Sequence, residues 1–139
     1  MRFGGEDKAA TPVSEAMTPD PMTVPPGMSA VDLARKLLAA GIGGAPVVDA
    51  AGLLIGMVSD IDVLGKPGAT VGEIMSRGVV SVREVTRLDE VVALMGLHGI
   101  RRVPVVRDGR LVGIVSRAQL LRRVVESEDP APEPGRHGA

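Results

Sequence analysis

Apolar residues recur along this chain in two patterns, one with helical spacing and one in short continuous runs. Across residues 29–40 the apolar positions return every third or fourth residue, which predicts an amphipathic helix. Ser29 and Asp32 predict a capping box at the start of this helix. Gly41 predicts its end, because glycine adopts the left-handed conformation that closes many helices.

A second stretch with helical spacing occupies the region before Gly99, which predicts its end. Its apolar positions are Leu88, Val91, Val92, Met95 and Leu97. Thr86 and Asp89 offer a cap that would start this helix one residue earlier than in the first stretch.

Short apolar runs follow each predicted helix and indicate β-strands. Two runs separated by residues 49–52 predict a hairpin, and residues 107–109 make a tighter equivalent in the second half. Ser59 and Ser116 each stand where the last strand gives way to a helix, so both are N-cap candidates.

These elements form an internal repeat. Segment 41–48 recurs at 99–106 with a spacing of 58, and segment 52–59 recurs at 109–116 with a spacing of 57. Each copy is roughly strand, helix, strand, strand, helix, so the predicted fold class is α/β (α+β). The predicted divisions are an N-terminal tail at 1–12, a first unit at 13–66, a second unit at 71–126 and a disordered, proline-containing tail at 127–139.

The amino-acid composition argues against several classes of function. The 139 residues carry a net charge of −1, no cysteine and two histidines, His98 and His137, and the sole aromatic residue is Phe3. This inventory offers no thiol chemistry, no metal cluster, no nucleophile–base pair and no base-stacking platform, so neither an enzyme nor a nucleic-acid binder is expected. A charged N-terminus and no membrane-length apolar run indicate a cytoplasmic protein that does not enter a membrane.

Three motifs occur twice in the same order: an opening that reads Met17-Thr18-Pro19 in the first copy, a Gly-Ile-x-x-x-Pro-Val-Val core and a Gly-hydrophobic-Val-Ser ending. They resemble the CBS domain, and the tandem resembles the CBS pair, or Bateman module, of stand-alone bacterial CBS-pair proteins. The resemblance covers about residues 13–125. It implies a disk of two units related by a pseudo-twofold axis, commonly a homodimer, with clefts that bind adenine nucleotides.

The resemblance also implies one strong binding site. In the family a Ser/Thr-x-x-Asp motif holds the ribose, and here that motif is Ser59 and Asp62. A carboxylate in the first turn of a helix accepts hydrogen bonds from two vicinal hydroxyls. The same cleft is expected to hold the adenine and phosphates with Val80, Ser81, Ile100, Arg101 and Arg102.

A second, weaker pocket is implied at the other end of the pair. There the motif is Ser116 followed by Gln119, which lacks the charge of an aspartate. Its other expected members are Thr23, Val24, Gly43, Gly44 and Ala45. Because glycines replace the arginines of the first cleft, we expect the Asp62 cleft to be filled first.

Each assignment has a simpler alternative. Ser59 and Asp62 are also ordinary helix-start residues, and the two arginines could be surface charges paired with Asp89 or Glu90. The leading hypothesis is a non-catalytic regulatory module with no obligatory cofactor, which binds AMP, ADP or ATP as a homodimer and signals occupancy to an unidentified partner protein. The alternative is a dimerising assembly scaffold that binds no ligand.

Overall fold

The computed structural model describes residues 6–128, and side chains over residues 8–126. Its helices are α1 (Glu6–Ala9), α2 (Ala30–Ala40), α3 (Asp60–Gly65), α4 (Val71–Ile74), α5 (Leu88–His98) and α6 (Arg117–Glu128). Its strands are β1 (Thr18–Pro19), β2 (Gly44–Val48), β3 (Leu54–Ser59), β4 (Val82–Arg83), β5 (Arg102–Arg107) and β6 (Arg110–Ser116). Helix α1 lies within the predicted N-terminal tail, and α6 runs to the second residue of the predicted disordered tail. The rest of that tail, 129–139, lies outside the described residues.

Each half of the chain contains one antiparallel hairpin, β2–β3 in the first and β5–β6 in the second. In the second half, β4 adds in parallel to β5. Among the described residues of the first half, the corresponding edge has a single parallel bridge, Val24 to Val47. The predicted order of strand, helix, strand, strand, helix is therefore present twice, and the predicted α/β tandem fold is confirmed.

The predicted stops of the two long helices are also confirmed. Gly41 closes α2 with φ +66°, and its backbone N–H donates to the Leu37 and Leu38 carbonyls. Gly99 closes α5 with φ +63° in the same way. Such φ values strain residues that carry a Cβ atom, which explains why glycine stands at both positions.

Two predicted helix caps are corrected by the structure. Ser29 Oγ accepts from Asp32 N at 3.0 Å, but the Asp32 carboxylate accepts from Arg35 at 2.7 Å, so only half of the predicted capping box forms. Thr86 does not cap α5, because its hydroxyl accepts from Arg83 N at 3.1 Å in the preceding turn. The helix instead begins after Arg87, which makes no side-chain cap.

The two repeats interlock through their opening segments. Strand β1, from the start of the first repeat, pairs with β6 of the second, and Val13 is buried in the second repeat's core. In return, Ser76 bridges Met57 on β3, while Val71 and Ile74 are buried in the first repeat's core. Since a buried valine or isoleucine contributes about 1.5–3 kcal/mol, this exchange binds the two halves into one packing unit.

Candidate functional site

The carboxylate of Asp62 is fixed at the start of α3 by a complete capping box with Ser59. Ser59 N and Ser59 Oγ donate to Asp62 Oδ2 at 2.8 and 3.1 Å, and Asp62 N donates to Ser59 Oγ at 3.4 Å. Asp62 is 8% exposed. The cap therefore holds a nearly buried charge in a single orientation.

The other carboxylate oxygen of Asp62 contacts Lys66, one helical turn later. Lys66 Nζ lies 2.8 Å from Asp62 Oδ1 and donates to the Ile74 carbonyl at 3.1 Å. Burial alone raises the pKa of Asp62, but the hydrogen bonds from Lys66 and Ser59 and the Lys66 charge together lower it below its ordinary value. Asp62 is thus held ionised.

Asp62 and Ser59 line a cavity of about 530 Å³ between the two repeats. The cavity also contains four of the other residues predicted for this cleft: Val80, Ile100, Arg101 and Arg102. Ser81, the remaining predicted member, is exposed just before β4 and is not among the lining residues. Carboxylate, apolar side chains and guanidinium groups therefore face one space.

Arg102 crosses from the second repeat to the first. Its guanidinium lies against Gly43 and Gly44, and the Asp60 carboxylate is close by. Burial lowers the pKa of Arg102, Arg101 lowers it further, and the Asp60 charge partly offsets both. Arginine stays protonated despite such shifts, so the cleft contains a partly desolvated cation.

Asp89, considered above as an alternative partner for these arginines, is paired elsewhere. Arg87 donates to both of its carboxylate oxygens, at 3.1 and 2.7 Å.

The residues predicted for the second pocket are dispersed in the structure. Gly43 lines the Asp62 cavity, whereas Val24 and Ala45 are fully buried in the first repeat's core. Gly44 is buried under Arg102, and Thr23 is partly buried one residue before the Val24 bridge. Ser116 lines a different cavity of about 760 Å³ between α5 and α6.

Gln119 copies the structural role of Asp62 in the second repeat. Its Oε1 accepts from Ser116 N at 2.7 Å, and its Nε2 donates to Thr18 Oγ1 at 2.6 Å. Both the oxygen and the nitrogen of the Gln119 amide are therefore hydrogen-bonded, to the start of α6 and to β1.

Sequence reasoning overlooked two charged residues: Lys66, which contacts Asp62, and Asp60, which lines the cavity. Lys66 stands four residues after Asp62, the spacing at which charged side chains meet on a helix, and this signal could have identified it. Asp60 lies between Ser59 and Asp62 of the Ser/Thr-x-x-Asp motif. Its charged neighbour Arg102 comes from the other repeat, so no local signal indicates the contact.

Within the described part of the chain, His, Asp and Glu side chains form no group of three suited to a metal ion. No helix described there has the length and apolar character needed to cross a membrane.

Comparison with known proteins gives a family match over most of the chain. The sequence profile of the CBS domain matches twice, at residues 13–67 and 71–126. The CBS domain-containing protein YhcV of Bacillus subtilis (strain 168) is 34% identical over 123 residues, covering 84% of this chain and 87% of YhcV.

Two solved structures have the same architecture. CBSX2 in complex with AMP superposes with a TM-score of 0.79 at 31% identity, covering 84% of this chain and 98% of CBSX2. CBSX2 comes from Arabidopsis thaliana. The CBS domain pair of protein MJ0100, in complex with 5-methylthioadenosine and S-adenosyl-L-methionine, gives a TM-score of 0.76 at 32% identity, covering 81% and 94% of the two chains.

Proposed function

This chain belongs to the CBS domain family, and on that premise we propose that it is a non-catalytic regulatory module that binds an adenosine-containing nucleotide at Asp62. The observation that carries the proposal is the buried, ionised Asp62 carboxylate in one cavity with two arginines. The structurally similar CBSX2 was solved with AMP, which supports an adenine ligand.

Three chemical regions of the cavity suit three parts of a nucleotide. Asp62 accepts from the ribose hydroxyls, because an ionised carboxylate offers strong hydrogen-bond acceptors. Val80 and Ile100 offer apolar surface to the adenine ring. Arg101 and Arg102 bind the phosphates, since a guanidinium donates two parallel hydrogen bonds to phosphate oxygens.

The position of the cavity provides a route for signalling. Asp62 belongs to the first repeat and Arg102 to the second, so one ligand would contact both. A ligand that binds one arrangement of the repeats more tightly shifts the population toward it. We propose that an unidentified partner protein reads this shift.

We also propose that the chain forms a homodimer through its helices. Leu38 on α2 and Leu64 on α3 are 83% and 82% exposed, and Leu97 on α5 and Leu121 on α6 are exposed as well. The cavity between α5 and α6 is lined mainly by apolar side chains. Apolar surface on four helices is typical of an interaction face, and a second copy would cover it with the same residues.

Calorimetric titration with AMP tests the binding site. Asp62→Ala should weaken AMP binding about tenfold or more, because it removes a charged hydrogen-bond acceptor. Gln119→Ala is the matched control, since it removes the equivalent cap from the second repeat without touching the cavity. Equal AMP affinity of the parent and Asp62→Ala would contradict the proposal, and no AMP binding by the parent would favour the assembly scaffold.

A further inference from the structure

Lys66 occupies part of the hydrogen-bonding capacity that a ribose would need. A carboxylate offers about four acceptor positions. Three donors already contact Asp62: Ser59 N and Ser59 Oγ on Oδ2, and Lys66 Nζ on Oδ1. One position is left, whereas a ribose with two vicinal hydroxyls donates two hydrogen bonds to a carboxylate.

Among these donors, Lys66 is the one that can leave most easily. Ser59 N is part of the backbone, and Ser59 Oγ is held by the Asp62 amide within the capping box. The Lys66 side chain is 45% exposed and has a flexible stem, so water can solvate its ammonium group when it moves.

Lys66 also connects Asp62 to the segment that leads into another part of the cavity wall. Its ammonium group donates to the carbonyl of Ile74, the last residue of α4. The chain then continues through Ser76 to Val80, and both of these residues line the cavity. Displacement of Lys66 would therefore release a link between the ribose carboxylate and this wall.

We propose that Lys66 is a specificity-determining latch that competes with one ribose hydroxyl for Asp62. A nucleoside with a single hydroxyl fits the acceptor position that is left, and a ribonucleoside must displace Lys66 to make its second bond. This inference rests on the proposed function of the Asp62 cleft. Lys66 thus reduces the preference for ribose over deoxyribose.

The test compares adenosine with 2′-deoxyadenosine by NMR titration of the parent, Lys66→Met and Lys66→Arg. Nucleosides without phosphate are used because removing the positive charge of Lys66 would by itself weaken the binding of a phosphate group. Lys66→Met should tighten adenosine binding about threefold, the scale of a half-exposed ion pair, and leave 2′-deoxyadenosine binding unchanged. Lys66→Arg keeps the charge and should retain the parent's ratio of affinities. Lys36→Met, on the exposed side of α2, is the matched control.

Equal changes for both nucleosides, or weaker adenosine binding by Lys66→Met, would overturn the inference, because Lys66 would then only support the fold or the site. AMP is titrated into the parent in parallel. If the parent binds AMP and adenosine but Lys66→Met leaves the ratio unchanged, the latch fails and the proposed function stands. If the parent binds neither AMP nor the nucleosides, the proposed function fails and the latch with it.

Discussion

Replacing Gly44 with alanine would test the close approach between the two repeats. Gly44 and Arg102 hold the same position in the two copies, and Arg102 lies over Gly44. A Cβ atom at Gly44 would lie 2.7 Å from Arg102 Nη1 and 2.8 Å from the Val58 carbonyl oxygen. Both distances are too short for real Cβ contacts, so the surrounding atoms must move.

The size of the effect follows from which atoms can move. The Arg102 guanidinium can swing away, but the Val58 carbonyl is held in β3, opposite β2. We therefore expect Gly44→Ala to lower the free energy of unfolding by about 2 kcal/mol, within the range for overpacking. At Gly43 the nearest contacts of an added Cβ would be 3.2 and 3.4 Å, to flexible side chains. Gly43→Ala is thus a matched control, with an expected cost of less than about 1 kcal/mol.

Urea unfolding followed by circular dichroism measures these free energies. The double variant Gly44→Ala with Arg102→Ala should lose less stability than the sum of the two single variants, because removing Arg102 relieves one of the two short contacts. A cost for Gly44→Ala no greater than that for Gly43→Ala, or a double variant in which Arg102→Ala removes the whole cost of Gly44→Ala, would show that the Val58 carbonyl is not the obstacle.

Three other changes test the charges and the helices. Because the pKa of Asp62 is lowered on folding, its stabilisation is present above the unfolded pKa and is lost as pH falls through the folded pKa. Asp62→Asn should therefore reduce the fall in the free energy of unfolding as the pH is lowered into the acid range. The same fall in the parent and in Asp62→Asn would contradict this. Arg102→Ala should weaken ATP binding about tenfold in calorimetry and leave the affinity for adenosine unchanged. Arg101→Ala should have a smaller effect, because Arg101 is exposed. Equal losses of affinity for ATP and adenosine would exclude a phosphate-binding role for the arginine. Leu64→Asp should shift sedimentation from dimer to monomer, and an unchanged dimer would place the interface elsewhere.

The parts of the fold that depend on local chemistry were predictable from the sequence. Gly41 and Gly99 stop their helices because each supplies a left-handed residue to its own last turn. Ser59 caps α3 with a partner only three residues away. The prediction for Thr86 was wrong, because its hydroxyl accepts a hydrogen bond from the nearby Arg83 N and not from an N–H group of the helix.

The exchange of opening segments was not predictable, because the two repeats have similar apolar patterns. Val13 and Val71 hold the same position in the two copies, and either core offers apolar surface to them. The same limit applies to the cleft. Ser59 and Asp62 follow from a local motif, whereas the approach of Arg102 to Gly44 depends on how the repeats face each other.

The most direct test of the Asp62 site is equilibrium dialysis against AMP, read by adenine absorption. The chain has no tryptophan, no tyrosine and a single phenylalanine, so its own near-ultraviolet absorption is weak and bound adenine is easily measured. The parent is expected to retain AMP, saturating near one per chain, and Asp62→Ala should need about tenfold more AMP, or higher, for the same occupancy. Equal AMP concentrations on both sides of the dialysis membrane, at every concentration of parent protein, would contradict AMP binding at Asp62.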